Sequence, residues 1–229
     1  MTTTPLVGCA GFPVDPDEYA SQLSFVEIQE SFVNPPDIAE AKALWGRVAG
    51  DLKPAFVAWQ VITHPRSHAG YKVMGGLIPE HAAVGHFVRS RWTDEAWERM
   101  DSLARAVRAP VILFRTPPGF RRTKANITQF ENFIAHAQRP SLSLAWEWDG
   151  WPPGDALAMC ERIGLVPAVD PFATAVPPGD EIYLRIKTKG SPSDAKLEKL
   201  ASQIRGREGC VVFANGSAWE DARRLAKLL

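Results

Sequence analysis

Cysteine is scarce in this chain. Only Cys9, Cys160 and Cys210 occur, an odd number without a C-x-x-C pair. That argues against a disulfide framework and against zinc held by thiolates. Free thiols in a reducing compartment are the reading that follows. Net charge is missing as well: 26 Lys and Arg balance 26 Asp and Glu, so no global field draws the chain to nucleic acid or to an anionic membrane. No apolar run reaches the length of a membrane span, and "MTTTPLVGCAG" lacks a basic region followed by a long apolar stretch, so neither a signal peptide nor a membrane partner is expected. A cytoplasmic protein is the expectation. The sequence has no HExxH, HxH, GxGxxG or P-loop, and none of Ser31, Ser191 and Ser217 sits in a nucleophile elbow. No cofactor and no metal site are expected from it.

What is present is 45% hydrophobic residues in 229, enough for one good core and a single domain over 1–229. Short apolar runs alternate with helix-like segments. Strands are expected at 6–11, 24–29, 55–64, 110–118, 141–148, 165–172, 181–188 and 210–215. Helices are expected at 16–23, 35–52, 93–109, 126–137, 154–164, 193–206 and 218–229. Thr93 and Ser193 are read as N-caps, and Gly164 closes its helix. Such alternation implies βαβ units around a parallel sheet. Eight strands in roughly 200–250 residues suit a single (β/α)8 TIM-type barrel, with a doubly wound open sheet as the alternative. The short gap between strands six and seven predicts a missing or reduced sixth helix. Residues 65–91 form the longest irregular segment, and such loops are often functional.

Period-two alternation places polar residues near the C-terminal ends of the strands. Glu27 and Gln29 share a face with Phe25, and Arg115 with Leu113. Glu147 shares one with Ser143 and Ala145, and Asp170 with Ala168. Arg185 and Lys187 follow Tyr183, and Asn215 follows Phe213. In a barrel one parity faces the lumen and the other faces the helices. Helix-facing positions must be apolar, so these polar residues are expected at the lumen's top, where active sites of this fold sit. By the same parity Trp146 and Trp148 should pack against helices, and Trp151, beyond the strand, is expected to be exposed. His64 is expected to end strand three at the mouth. Opposite charges 4 Å apart attract by roughly 4 kcal/mol at an intermediate dielectric. The ring is therefore either a ligand site or a salt-bridge plug closed on itself.

In order and spacing, "VGCAGF", "VEIQESF", "AWQVITHP", "VILFRTPPGF", "LAWEWDGWP", "AVDPF", "YLRI" and "VVFAN" before "DARRLAKLL" run through the whole chain. With these the chain resembles the YecE-like family, domain of unknown function 72, whose members adopt a TIM-type barrel. The resemblance implies a barrel mouth to which Glu27, Glu147, Arg185 and Asn215 contribute. Gln29 stands where that family has Asn, and Arg115 where it has Gln. Lys187 and Thr188 replace His-Gly, and Ala214 replaces the first Asn of the eighth-strand motif. The replaced His is the side chain best suited to proton transfer near neutral pH, so catalysis shared with the family is in question here.

Three functions are compatible with these residues. In the first, a small anionic or sugar-like ligand is held, and turned over by a hydrolase or isomerase, at the mouth. The candidate acid–base residues are Glu27, Glu147 and Asp170. Gln29, Gln60, His64, Arg115, Arg185, Lys187 and Asn215 bind the ligand. In the second, the barrel has drifted from catalysis and binds a ligand or nucleic acid. Arg66, Lys72, Arg89 and Arg91 in the 65–91 loop would then hold phosphates, with Tyr71 and Phe87 stacking bases. The third is a metal-assisted phosphodiesterase, by fold analogy alone. His68, His81 and His86 read as loop histidines.

Overall fold

In a computed structural model, residues 3–48 and 51–229 are described. Eight parallel strands close into a barrel in sequence order, each pairing with its neighbours and β1 with β8. The strands are β1 Leu6–Ala10, β2 Phe25–Ile28, β3 Lys53–Val57, β4 Val111–Arg115, β5 Ser143–Glu147, β6 Val166–Val169, β7 Glu181–Ile186 and β8 Glu208–Phe213. Helices lie between them in a (β/α)8 arrangement. They are α1 Pro16–Ala20, α2 Ile38–Arg47, α3 Gln60–Thr63, α4 Gly70–Val73, α5 Arg91–Val107, α6 Lys124–Ala137, α7 Pro153–Ile163, α8 Asp194–Ile204 and α9 Ala218–Ala226. Residues 170–180, between β6 and β7, hold no helix, as the short separation predicts. Positions 49–50 of the helix expected at 35–52, and residues 1–2 of the expected domain, lie outside the described residues.

Side chains on alternate strand positions divide into two apolar layers. The lumen holds Phe25, Ala55, Val57, Val111, Leu113, Ala145, Ala168, Tyr183, Cys210 and Val212. Small Ala55, Ala145 and Ala168 leave room for Phe25 and Tyr183 inside the narrow barrel. The opposite parity, with Val26, Phe56, Ile112, Phe114, Trp146, Leu184, Val211 and Phe213, packs against the helices. Trp146 is fully buried there. Trp151 is buried too, its Nε1 donating to the Phe120 carbonyl at 2.7 Å. The expectation that it is exposed is therefore corrected: the chain past β5 folds back so that Trp151 stacks on Phe120 at 5.9 Å.

The third strand is shorter than expected. It stops at Val57, and α3 begins at Gln60, so His64 follows a helix rather than ending a strand. Residues 58–64 are buried without exception, and a continuous apolar run does not distinguish strand from helix by periodicity. The long irregular segment is likewise ordered by contacts. Gly85, His86 and Phe87 all adopt positive φ, and their amides donate to the Val61, Ile62 and Thr63 carbonyls at 2.9–3.1 Å. Those are carbonyls at the end of α3 that the helix itself leaves without partners. Ser90, not Thr93, caps α5: Ser90 Oγ accepts from Thr93 N–H at 3.3 Å, and Thr93 Oγ1 accepts from Ser90 N–H at 3.0 Å. Thr93 sits at the third helical position because the helix starts two residues earlier than its apolar periodicity shows. Ser193 occupies the N-cap of α8 as expected, without a side-chain capping bond.

Candidate functional site: a charged barrel mouth and its cleft

Strand register brings the mouth together. Arg115 and Glu147 are paired neighbours on β4 and β5, and Arg185 stands two residues beyond the lumen residue Tyr183, on the same face of β7. Arg185 bridges two carboxylates. Its Nε donates to Glu27 Oε1 at 3.0 Å, and its Nη1 lies 3.4 Å from Glu147 Oε1. Glu27 is fully buried and also accepts from the Tyr183 hydroxyl at 2.6 Å and from the Gln29 amide. Glu147 accepts from Arg115 Nε and from Lys187 Nζ, each at 2.7 Å. A carboxylate has about four lone-pair sites. Arg185 Nε approaches both oxygens of Glu27, and Arg185 Nη1 both oxygens of Glu147. With the partners above, three side chains donate to each carboxylate.

Burial works to raise the Glu147 pKa, but Arg185, Arg115 and Lys187 together outweigh it and hold the carboxyl below its ordinary range. Burial likewise opposes the charge on Arg185, and Glu27 and Glu147 more than restore it. Burial and the Glu27 charge push the Tyr183 phenol well above its usual value, so Tyr183 stays protonated and donates.

Beside this cluster lies a cleft of about 270 Å³, lined by Phe32, His64, His68, Arg115, Thr116, Pro117, Pro118, Glu147, Trp148, Asp149 and Lys187. The Arg115 and Lys187 side chains are 38% and 49% exposed. Each makes one side-chain bond among the described residues, to Glu147, although a guanidinium carries five N–H donors and an ammonium three. His64 is buried, with Nδ1 2.9 Å from Thr63 Oγ1. Its pKa is lowered to about 3, chiefly by burial and then by His68, Arg115 and His86, so the ring stays neutral at physiological pH.

The structure thus gathers Glu27, Gln29, Glu147, Arg115, Arg185 and Lys187 into one network and sets His64 beside it. Gln60 lies behind the cleft, fully buried, with its amide on His68 and Met74. Asp170 is not part of the network. Its carboxylate accepts from the backbone amides of Phe172 and Lys187, both at 3.0 Å, and fastens the end of β7 to the turn after β6. Asn215 also stands apart. Val211 and Phe213 belong to the outer layer, so Asn215 shares the helix-facing parity. Its amide donates to Asp221 in α9 at 2.8 Å. The expectation of a lumen position is corrected: on β8 the lumen parity is that of Cys210 and Val212. Tyr183 and His68 were not anticipated here. Parity alone marks Tyr183, and the i,i+4 spacing of "HPRSH" is the one sequence signal for His68.

In the 65–91 loop, Tyr71 and Phe87 are buried rather than open to bases. Tyr71 donates to the His64 carbonyl at 3.0 Å, and Phe87 stacks on Phe130 at 4.2 Å. Arg91 pairs with Glu95, one helical turn on, and Arg66 lies 4.7 Å over the Tyr71 ring. Among the described residues no three His, Cys, Asp or Glu side chains converge as a metal ion requires, and no helix is long and apolar enough to cross a membrane.

A closed eight-stranded parallel barrel whose polar cluster and cleft sit at the strands' C-terminal ends defines the class: a TIM-type α/β barrel. The chain belongs to the family described as "Protein of unknown function DUF72", which matches residues 17–229; the YecE-like resemblance names this same family. It is similar in structure to a DUF72 family protein from Enterococcus faecalis, with a TM-score of 0.72 and 15% identity over 99% of this chain and 95% of that one. A DUF72 family protein from Thermotoga maritima gives 0.68 and 15% identity, over 99% of both chains. At these identities the likeness is one of fold. No curated protein matches the sequence.

Proposed function

We propose that the barrel mouth binds a small anionic ligand, a carboxylate or a phosphate ester, through Arg115 and Lys187. One observation carries this reading: each mouth carboxylate already accepts from three side chains, while Arg115 and Lys187, which line the cleft, each make a single side-chain bond, to Glu147. Arg185, Glu27 and Glu147 then form the frame that aims the two cations. Because each Glu side chain is held by three donors, this reading gives them an orienting part rather than one as acid and base. The cleft is just below the ~300–1,000 Å³ usual for ligand pockets, which favours a small molecule. Asp149, exposed on its rim, disfavours a polyanion.

The reading of a drifted nucleic-acid module has less support, since its stacking aromatics are buried and Arg91 is paired. The phosphodiesterase reading lacks a convergent ligand set among the described residues. The three buried, unbridged cysteines support a reducing, cytoplasmic setting.

Thermal unfolding with inorganic phosphate and with propionate tests the proposal, against sodium chloride of equal ionic strength. A ligand at 100 times its Kd adds about 2.7 kcal/mol, which for a chain of this size raises Tm by roughly 5–10 °C. The shift should vanish in an Arg115→Ala, Lys187→Ala double variant. A wild-type shift no larger than that of sodium chloride would overturn the proposal.

A further inference from the structure

Two chemically different groups line the cleft. Arg115 and Lys187 can only donate hydrogen bonds. His68 is the other, its ring edge-on to His64 at 4.6 Å and to Phe32 at 5.6 Å between centroids. His68 Nδ1 lies 2.7 Å from Gln60 Oε1. The Gln60 amide nitrogen points the other way, donating to Met74 Sδ at 3.1 Å. An amide oxygen has no hydrogen to give, so Nδ1 supplies the proton of this bond. The Gly70 N–H approaches the same nitrogen from 3.3 Å, and the shorter Gln60 contact decides the tautomer. The neutral ring then keeps its lone pair on Nε2.

This backing is built into the fold. Gln60 is fully buried, and its amide occupies the space where any Cβ at residue 70 would go, which Gly70 leaves open. A lone pair repels an anion and accepts from a donor. The cations and His68 therefore select different groups on one ligand.

We propose that the ligand is a small hydroxylated anion, such as a hydroxy acid or a short sugar phosphate, whose anionic group sits on Arg115 and Lys187 and whose hydroxyl donates to His68 Nε2. The inference rests on the mouth being an anion site and adds the second half of the recognition. An amine could also donate to Nε2, but as an ammonium it would bring a further positive charge beside two cations.

Calorimetry on the full chain at pH 8 separates the possibilities with matched probes: propionate against lactate, and ethyl phosphate against 2-hydroxyethyl phosphate. The hydroxylated member of each pair should bind about tenfold more tightly, the value of one well-made hydrogen bond. In His68→Ala, and in His68→Phe, which keeps a ring in place, the ratio within each pair should fall to about one. Equal binding within the pairs of the wild type, or a ratio that survives both substitutions, overturns the inference and leaves the anion site standing. Alanine binding as tightly as lactate overturns the assignment to a hydroxyl. Failure of all four probes to bind overturns the inference and the anion site together.

Discussion

Arg185 shows how a single side chain organises this mouth. It is buried between Glu27 and Glu147 and donates to both. Removing it leaves the fully buried Glu27 without its cationic partner, while Glu147 keeps Arg115 and Lys187. Arg185→Met should therefore lower unfolding stability by about 3–5 kcal/mol, measured by urea denaturation. Lys187→Ala removes a half-exposed partner and should cost roughly 1 kcal/mol or less. Acid sensitivity belongs to this scale too. The folded state holds His64 neutral down to about pH 3, while the unfolded chain takes up that proton near 6.5. Between those values the unfolded state binds more protons, so the stabilisation is complete above 6.5 and is lost as pH falls toward 3. The lowered pKa of Glu147 acts in the same direction, with loss setting in below its ordinary 4.5. Stability measured from pH 7 to pH 5 should fall less steeply in His64→Gln, the difference approaching about 1.4 kcal/mol per pH unit for one proton.

Two short elements fix the cleft's histidines. The left-handed residues 85–87 lie on the carbonyls of α3, and Gly85 packs directly on the His64 backbone. Its φ is +80°, and a Cβ there would strike the His64 carbonyl. Gly85→Ala should thus be strongly destabilising, by more than the ~1 kcal/mol typical of a point substitution, and should weaken anion binding by displacing His64. Thermal unfolding and phosphate titration of the same variant check both effects. The cap of α5 is a milder case: Ser90→Ala should cost about 0.5–2 kcal/mol, with ligand affinity unchanged. These elements were the least legible in the sequence. "AWQVITH" is apolar throughout, and its β-branched Val61, Ile62 and Thr63 suit a strand as well as a short helix. What bends it into α3 is a set of hydrogen bonds from residues more than twenty positions later, which no local pattern encodes.

At the scale of the whole molecule, closure depends on the two ends of the chain. β8 pairs along β7 from Glu181 to Ile186 and along β1 from Leu6 to Cys9. A chain ending at residue 207 would leave both of those strands with open edges and expose the lumen. It should show no cooperative unfolding transition by tryptophan fluorescence, where the full chain should show one.

The alternation of strand and helix, the missing sixth helix and the parity that places Glu27, Arg115, Glu147 and Arg185 in the lumen are legible in the sequence, which admits a doubly wound sheet beside the barrel. Those follow from period-two patterning and chain length, which are local or additive properties. On β8 the lumen parity is that of Cys210 and Val212. There Asn215 continues the outward positions of Val211 and Phe213 and bonds to Asp221 in α9. It takes the folded molecule to join Arg185 to Glu27 and Glu147, to engage Asp170 with backbone amides, and to bring His68 to the cleft against Gln60. Each of these depends on where strands and loops distant in sequence meet in space. Hydrogen-bond geometry, unlike hydrophobic periodicity, is set by those meetings.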